Sequence, residues 1–201
     1  MSDKNYIIIS GANGYLSQFF SKNLCQRYNL ILWDINFDKE FLSKLRKIAK
    51  ENKSIIISMN VDITNHSKIR KSIDILSKKK IKIYGLINCA GLNPQPNIQN
   101  PDYYKNYKSF IHMWDKEINI SLKGYMFMIY EVSRILKKSK NSTIINFSSD
   151  LGIISPNQNI YTKDSIKPLV YSVSKHGIIG ITKYFATLLS DKGIRVNSIC
   201  F

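Results

Sequence analysis

Residues 6–20 read "YIIISGANGYLSQFF", a β-branched run that enters a glycine-bearing turn and leaves it as a helix-period segment near 15–28. Gly11 permits the tight turn, and Gly14 lets the backbone come close to a bound anion. The helix start beyond them presents unpaired N–H groups and the positive end of a dipole. A strand, a glycine turn and a helix in that order make the first unit of an α/β fold.

The same alternation continues along the chain. Further apolar or β-branched runs fall at 30–34, 54–60, 83–89, 143–148 and 195–199, with helix-period segments near 38–52, 65–80, 109–139 and 170–191. Several runs are apolar nearly throughout, as expected where helices cover both faces of a parallel sheet. The pattern predicts one α/β domain over residues 1–201, a Rossmann-like, doubly wound parallel sheet of about six strands with helices on both faces. Two stretches bearing proline and asparagine, 91–108 and 150–169, break the rhythm as long connections. Both follow predicted strands, which places them at the carboxyl edge of the sheet, where open α/β folds bind ligands.

Composition narrows the function classes. The 201 residues weigh 23.2 kDa, enough chain for a real core, and 44% hydrophobic with 22% charged is an ordinary globular balance. No window reads as a membrane span and no export signal is evident, so a cytoplasmic setting without membrane contact is expected. Cys25, Cys89 and Cys200 are too few and too scattered for a disulfide framework or a zinc site. The net charge of +16, from 30 Lys+Arg against 14 Asp+Glu, would suit a nucleic-acid partner. Lysine outnumbers arginine 25 to 5, however, which is the bias of an A+T-rich coding sequence. The clusters Lys78-Lys79-Lys80 and Lys137-Lys138-Lys140 also fall where helices should end and cations suit the macrodipole. A small molecule is the expected partner, and nucleic acid is not.

Asp34 ends the second predicted strand, 23 residues after Gly11. An acid there hydrogen-bonds both ribose hydroxyls of a dinucleotide and repels a 2′-phosphate, which favours NAD over NADP. Read blandly, the same residues are a helix start and a loop aspartate. Further on, "YSVSKHG", residues 171–177, sets Tyr171 and Lys175 on one helix face. A phenol is a poor acid–base group at neutral pH, and a neighbouring ammonium stabilises its phenolate. Such a pair alone is common on surface helices; specificity comes from the order of the motifs.

After the glycine turn and Asp34 come "VDIT" at 61–64, "NCAG" at 88–91, "NISLKG" at 119–124 and "INFSSDLG" at 145–152, then Tyr171 and Lys175, then "GIRVNSI" at 193–199. In this order the blocks resemble the short-chain dehydrogenase/reductase family, over essentially the whole chain. The resemblance implies an oxidoreductase that interconverts a hydroxyl and a ketone by hydride transfer, with NAD expected ahead of NADP. It implies cofactor contacts at Gly11, Asn13, Gly14, Tyr15, Leu16, Asp34, Asp62, Ile63, Asn88, Ala90 and Gly91, with Tyr171 and Lys175 joining them. Asp62 matches the acidic position at the adenine ring, Asn88, Ala90 and Gly91 the Asn-x-Ala-Gly that stabilises the sheet beside the cofactor, and Asn119 the helix asparagine that keeps a water in the proton relay. Ser149 matches the serine that polarises the substrate carbonyl, and Tyr171 the general acid/base. Lys175 matches the lysine that holds the nicotinamide ribose and lowers the tyrosine pKa. No metal is implied.

Departures from the family pattern carry expectations of their own. Ser17 stands where the turn usually has its third glycine, so α-helix and strand should sit slightly farther apart. Ser149 precedes Tyr171 by 22 residues, and the inserted "NQNIYTKDSIKPLV" resembles bacterial oxidoreductases of flagellin-modification and surface-polysaccharide pathways. That likeness implies a sugar or sugar phosphate as substrate. The sequence stops at Phe201, before the family's Pro-Gly, substrate-binding helical segment and seventh strand. The alternative reading is accordingly a truncated remnant that binds nucleotide without catalysis. In this family, helices like 118–136 and the one bearing Tyr171 pair between copies, which implies a homodimer or homotetramer. His112 and His176 read as ordinary polar residues, His66 as a surface residue near a helix start and Cys89 as a buried strand residue. Tyr103, Tyr104, Tyr107, Phe110 and Trp114 read as core over a helix start, with stacking on a sugar as the sharper alternative.

Overall fold

Six parallel strands lie in the order β3-β2-β1-β4-β5-β6 in the computed structural model, which describes residues 4–79, 81–92, 107–136, 142–161 and 165–201. The strands are β1 (Tyr6–Ser10), β2 (Asn29–Asp34), β3 (Ile56–Asn60), β4 (Ile83–Asn88), β5 (Ser142–Phe147) and β6 (Ile194–Ile199). Between them run α1 (Tyr15–Leu24), α2 (Lys39–Glu51), α3 (His66–Lys78), α4 (Tyr107–Ile118), α5 (Tyr125–Ser133) and α6 (Leu169–Leu188). β1 pairs with β2 on one side and β4 on the other, so the strand order reverses there and a crevice opens at the carboxyl edge.

Period-two alternation explains why both faces are covered. Ile8, Ile31 and Trp33 point into a core shared with Ile69 and Ile73 of α3, Met128 of α5 and Ile178 of α6. Their neighbours Ile9, Leu30 and Leu32 point the other way, into a core with Phe41 and Leu45 of α2 and the partly buried Leu16 and Phe20 of α1. The helices are started by local chemistry. Asp38 accepts hydrogen bonds from the N–H groups of Glu40 and Phe41 to cap α2, and Asn65 accepts from Lys68 N–H to cap α3. Among the described residues no helix is long and apolar enough to cross a membrane.

Some sequence expectations are refined. The segment expected as one helix over 109–139 is instead α4 and α5 joined by a π turn, Asn119–Gly124. Ser17 is fully buried under α1, so its hydroxymethyl group is accommodated at the helix–sheet contact. Cys89 lies one residue beyond β4 and is half-buried, not a strand residue. The loop expected over 91–108 falls largely outside the described residues, as do Lys80, Tyr103, Tyr104, Lys137, Lys138 and Lys140.

His66 stands at a helix start with its side chain 39% exposed, as expected, and it also makes contacts across the helix packing. It opens α3 with Nε2 2.7 Å from Glu131 Oε1, and its ring lies against Phe127 at 4.7 Å between centroids. Arg134 donates to the other oxygen of Glu131, whose side chain is 1% exposed. Burial pushes the Glu131 carboxyl up, but the hydrogen bonds from Arg134 and His66 win and hold it below the usual carboxylate range. A carboxyl held low in the folded state contributes its stability above its unfolded pKa and loses it as pH falls through the folded one. Glu131→Gln is therefore expected to melt about 3 °C below the parent at pH 7. The gap should begin to narrow below about pH 4.3, the unfolded carboxyl's value, and close only once pH is below the lower folded one; a gap independent of pH would show that the charge contributes nothing.

Candidate active site

β1 ends at Ser10 and α1 begins at Tyr15, so the chain turns within a few residues. Gly11 does this at φ +66°, and a Cβ on it would lie 2.5 Å from Ala90 Cα, backbone against backbone. Gly14 caps α1 with no side-chain hydrogen bond, which leaves the first-turn N–H groups to whatever the crevice holds. Around this turn the strand ends enclose a cleft of about 610 Å³. Its walls carry Gly11, Asn13, Gly14, Asp34, Asp62, Ile63, Ala90, Gly91 and Asn119, together with Cys89, Lys116 and Ile120.

Asp34 is tied to the turn as well as facing the cleft. Its Oδ2 accepts from Asn13 N–H at 2.9 Å and its Oδ1 from Ile35 N–H at 2.7 Å. Asn13 in turn accepts from Asp38 N–H at 2.9 Å, which fixes the start of α2 relative to the glycine turn. Asp62 Oδ1 accepts from the N–H and hydroxyl of Thr64 at 2.9 and 2.7 Å. Five of the expected cofactor residues are not on the walls: Tyr15, Leu16, Asn88, Tyr171 and Lys175. Tyr15 is 90% exposed and Leu16 packs into the α1–α2 core. Asn88 is fully buried beneath: it accepts from Ser10 Oγ at 3.3 Å and donates to Asn146 Oδ1 at 2.9 Å. Asn146 donates on to Thr182 Oγ1 at 2.9 Å, so this chain of side chains rivets β1, β4, β5 and α6 under the crevice.

The second group of expected residues gathers where β5 meets α6. Ser149 follows β5; its Oγ donates to Asp150 Oδ1 at 2.7 Å and accepts from Leu151 N–H at 3.2 Å. Tyr171, in the first turn of α6, stands near the Ser149 hydroxyl. Burial pushes the Tyr171 phenol up, the Ser149 hydroxyl pulls it back, and Glu117, Asp150 and Tyr161 push it up again. Lys175, one turn on, is buried and donates from Nζ to the Phe147 carbonyl at 3.3 Å, with Nζ 5.3 Å from the Tyr171 ring centroid. Burial pulls the Lys175 ammonium down, against the opposing pull of Glu117, Cys89 and Cys200. Gly152 makes this packing possible, since a Cβ there would lie 2.8 Å from the Lys175 carbonyl.

Asn119 stands on the cleft wall beside Lys116 and Ile120. From the same π turn it is Ser121 that is buried near Lys175: a Cβ on Gly91 would lie 3.7 Å from Ser121 Oγ and 3.9 Å from Lys175 Nζ. Ser121 and Ser174 both donate to Glu117 Oε1, at 2.7 and 2.9 Å, and the buried Oε2 has no hydrogen-bond partner among the described residues. Sequence reasoning missed Glu117, and it missed Lys167, whose Nζ lies 4.0 Å from the Tyr171 ring centroid. The available signals were spacings of four, Glu117 to Ser121 and Lys167 to Tyr171.

The family described as "Enoyl-(Acyl carrier protein) reductase" matches residues 24–201. The chain is 28% identical over 202 residues to the post-translational flagellin modification protein A of Campylobacter coli, covering 99% of this chain and 77% of that one. It is 27% identical over 199 residues to the 3-oxoacyl-[acyl-carrier-protein] reductase FabG of Buchnera aphidicola subsp. Baizongia pistaciae, covering 98% and 72%. Among solved structures, NAD+-bound xylitol dehydrogenase superposes with a TM-score of 0.78 at 24% identity, over 99% of this chain and 71% of that one. ElxO with NADP bound does so with 0.77 at 24% identity, over 98% and 73%.

Proposed function

The chain belongs to the short-chain dehydrogenase/reductase family, and from that premise we propose that it is an NAD-preferring enzyme that interconverts a hydroxyl and a ketone on a sugar-like small molecule. The family accounts for the coarser part, an NAD(P)-dependent oxidoreductase. The finer part is carried by Tyr171, a half-buried phenol near the Ser149 hydroxyl with the Lys175 ammonium alongside.

The cleft suits a dinucleotide. A turn that no Cβ can enter and an uncapped helix start would take the pyrophosphate, and Asp34 would take the adenosine ribose. Asp62 and Ile63 would border the adenine, and Lys175 would hold the other ribose. When bound, the nicotinamide supplies or accepts the hydride. The chain's own part is proton transfer and positioning. Tyr171 and Ser149 grip one substrate oxygen; Tyr171 gives it a proton in reduction and removes one in oxidation. Asn119 holds the relay water from the cleft wall. The sugar-like substrate rests on the inserted segment 157–170 and its likeness to oxidoreductases of flagellin-modification and polysaccharide pathways, in keeping with the flagellin-modification relative that matches 99% of this chain. A homodimer is supported by exposed Met126 and Tyr130 on α5 and exposed Tyr184 and Leu188 on α6.

Cofactor choice is tested by titrating the purified chain with NADH and NADPH. NADH is expected to bind at least about tenfold tighter, because hydrogen bonds to a charged group contribute about 1.5–3 kcal/mol. Asp34→Asn keeps an oxygen for Asn13 N–H and removes the charge that repels a 2′-phosphate, so its NADPH affinity should rise toward its NADH affinity. Equal affinities in the parent would overturn the NAD preference, and binding of neither would overturn the dinucleotide site.

A further inference from the structure

The connection between Ser149 and Tyr171 ends on a lysine held from several sides. Gln158 clamps its backbone, accepting from Lys167 N–H at 2.9 Å through Oε1 and donating to its carbonyl at 3.2 Å through Nε2. Pro168 follows and caps α6, which confines Lys167 to extended backbone. The side chain then folds back over the first helical turn. Lys167 is 8% exposed, and its Nζ sits 4.0 Å from the Tyr171 ring centroid. Lys175 Nζ is 5.3 Å from the same centroid, so the phenol has an ammonium four residues before it and another four residues after.

We propose that Lys167 is a positioning residue for the acid/base step, a second ammonium that orients the Tyr171 ring and stabilises its phenolate. The inference rests on Tyr171 being the acid/base. Its warrant is the charge balance around that ring. Glu117 from α4 and Asp150 from the turn after β5 both disfavour the phenolate, as do Tyr161 and burial itself. Tyr125 of α5 adds a further phenol to the group. Among the described residues Ser149 acts the other way, and the Lys167 and Lys175 ammonium groups stand 4.0 and 5.3 Å from the ring centroid, where a cation favours the phenolate. Against the two acidic side chains, Lys167 sets a second cation, over the ring face. Burial, and then Lys175, pull the Lys167 ammonium down, and the same two carboxyls offset this only in part.

The test is a titration of the full chain carrying ¹³Cζ-tyrosine, with NAD+ added, followed by NMR. Tyr171→Phe assigns the Tyr171 resonance among the 12 tyrosines. In Lys167→Met the resonance should titrate at higher pH, with the phenolate population below the midpoint reduced about tenfold. Lys167→Arg should restore the parental curve, and Gln158→Ala, which frees only the clamp, should move it in the same direction by less. That last variant decides the matter if Lys167→Met does not fold. Superimposable curves for Lys167→Met or Gln158→Ala and the parent overturn the inference. Turnover by Tyr171→Phe would overturn the underlying reading instead, whereas an unmoved titration with an inactive Tyr171→Phe would overturn this inference alone.

Discussion

Tyr171→Phe is expected to lower turnover about a thousandfold, the range of a lost general acid/base, while leaving dinucleotide affinity within about twofold. The substitution removes one oxygen and keeps the ring, so the packing of α6 on the turn Asp150–Gly152 survives. Ser149 retains its bonds to Asp150 and Leu151, and Lys175 retains the Phe147 carbonyl. What disappears is the proton carrier. The measurement is kcat/KM on a panel of polyols and sugar ketones, beside a fluorescence titration with NADH. A loss in kcat and kcat/KM together marks an interaction made only in the transition state. Turnover retained within about tenfold would remove Tyr171 from that role. The parent's pH dependence should carry the same signature. Burial pushes the phenol up, so hydroxyl oxidation, which needs the phenolate, should accelerate as pH rises, and ketone reduction, which needs the phenol, should fade.

The elements that sequence reads best are those whose cause is local. β-Branched runs between turns mark all six strands, and Gly11 and Asp34 mark the cleft because the turn and strand end need those residue types on the spot. The π turn at Asn119–Gly124 is illegible because an extra residue in a helical turn barely disturbs an apolar period. Its consequence is that Asn119 faces the cleft while Ser121 sits nearer Lys175. Glu117 reads as one charge on a solvated helix face until α6 brings Ser174 onto it, 57 residues away in sequence. Lys167 reads as loop, and only the Gln158 clamp and the helix start give it a target. Asn88 belongs with the legible residues: its motif implies a role in stabilising the sheet beside the cofactor, and it cross-links strands beneath the crevice. His66 and Glu131 meet only because α3 and α5 pack together.

Gly11→Ala should be the most damaging change of a single methyl group in the chain, and Gly180→Ala serves as its control. Gly180 lies on the exposed side of α6 with nothing within 4 Å of a built Cβ, so alanine there should add about 0.5–1 kcal/mol of stability through helix propensity. At Gly11 the new Cβ would sit 2.5 and 2.6 Å from the Cα and N of Ala90, and the left-handed φ of +66° is itself strained for alanine. Neither obstacle is a flexible side chain, so the turn and the exit of β4 must move apart. That movement strains the bond from Ala12 N–H to the Trp33 carbonyl and the bond from Asn13 N–H to Asp34, the two links that hold turn to strand β2. Overpacking and strain together should cost about 2–4 kcal/mol in urea unfolding. NADH affinity should fall at least about a hundredfold, since the helix start and Asp34 no longer converge and the positioning energy of both is lost. Parental affinity in Gly11→Ala would mean that the cleft can be rebuilt around a wider turn, and that the dinucleotide does not depend on the backbone approach that Gly11 permits.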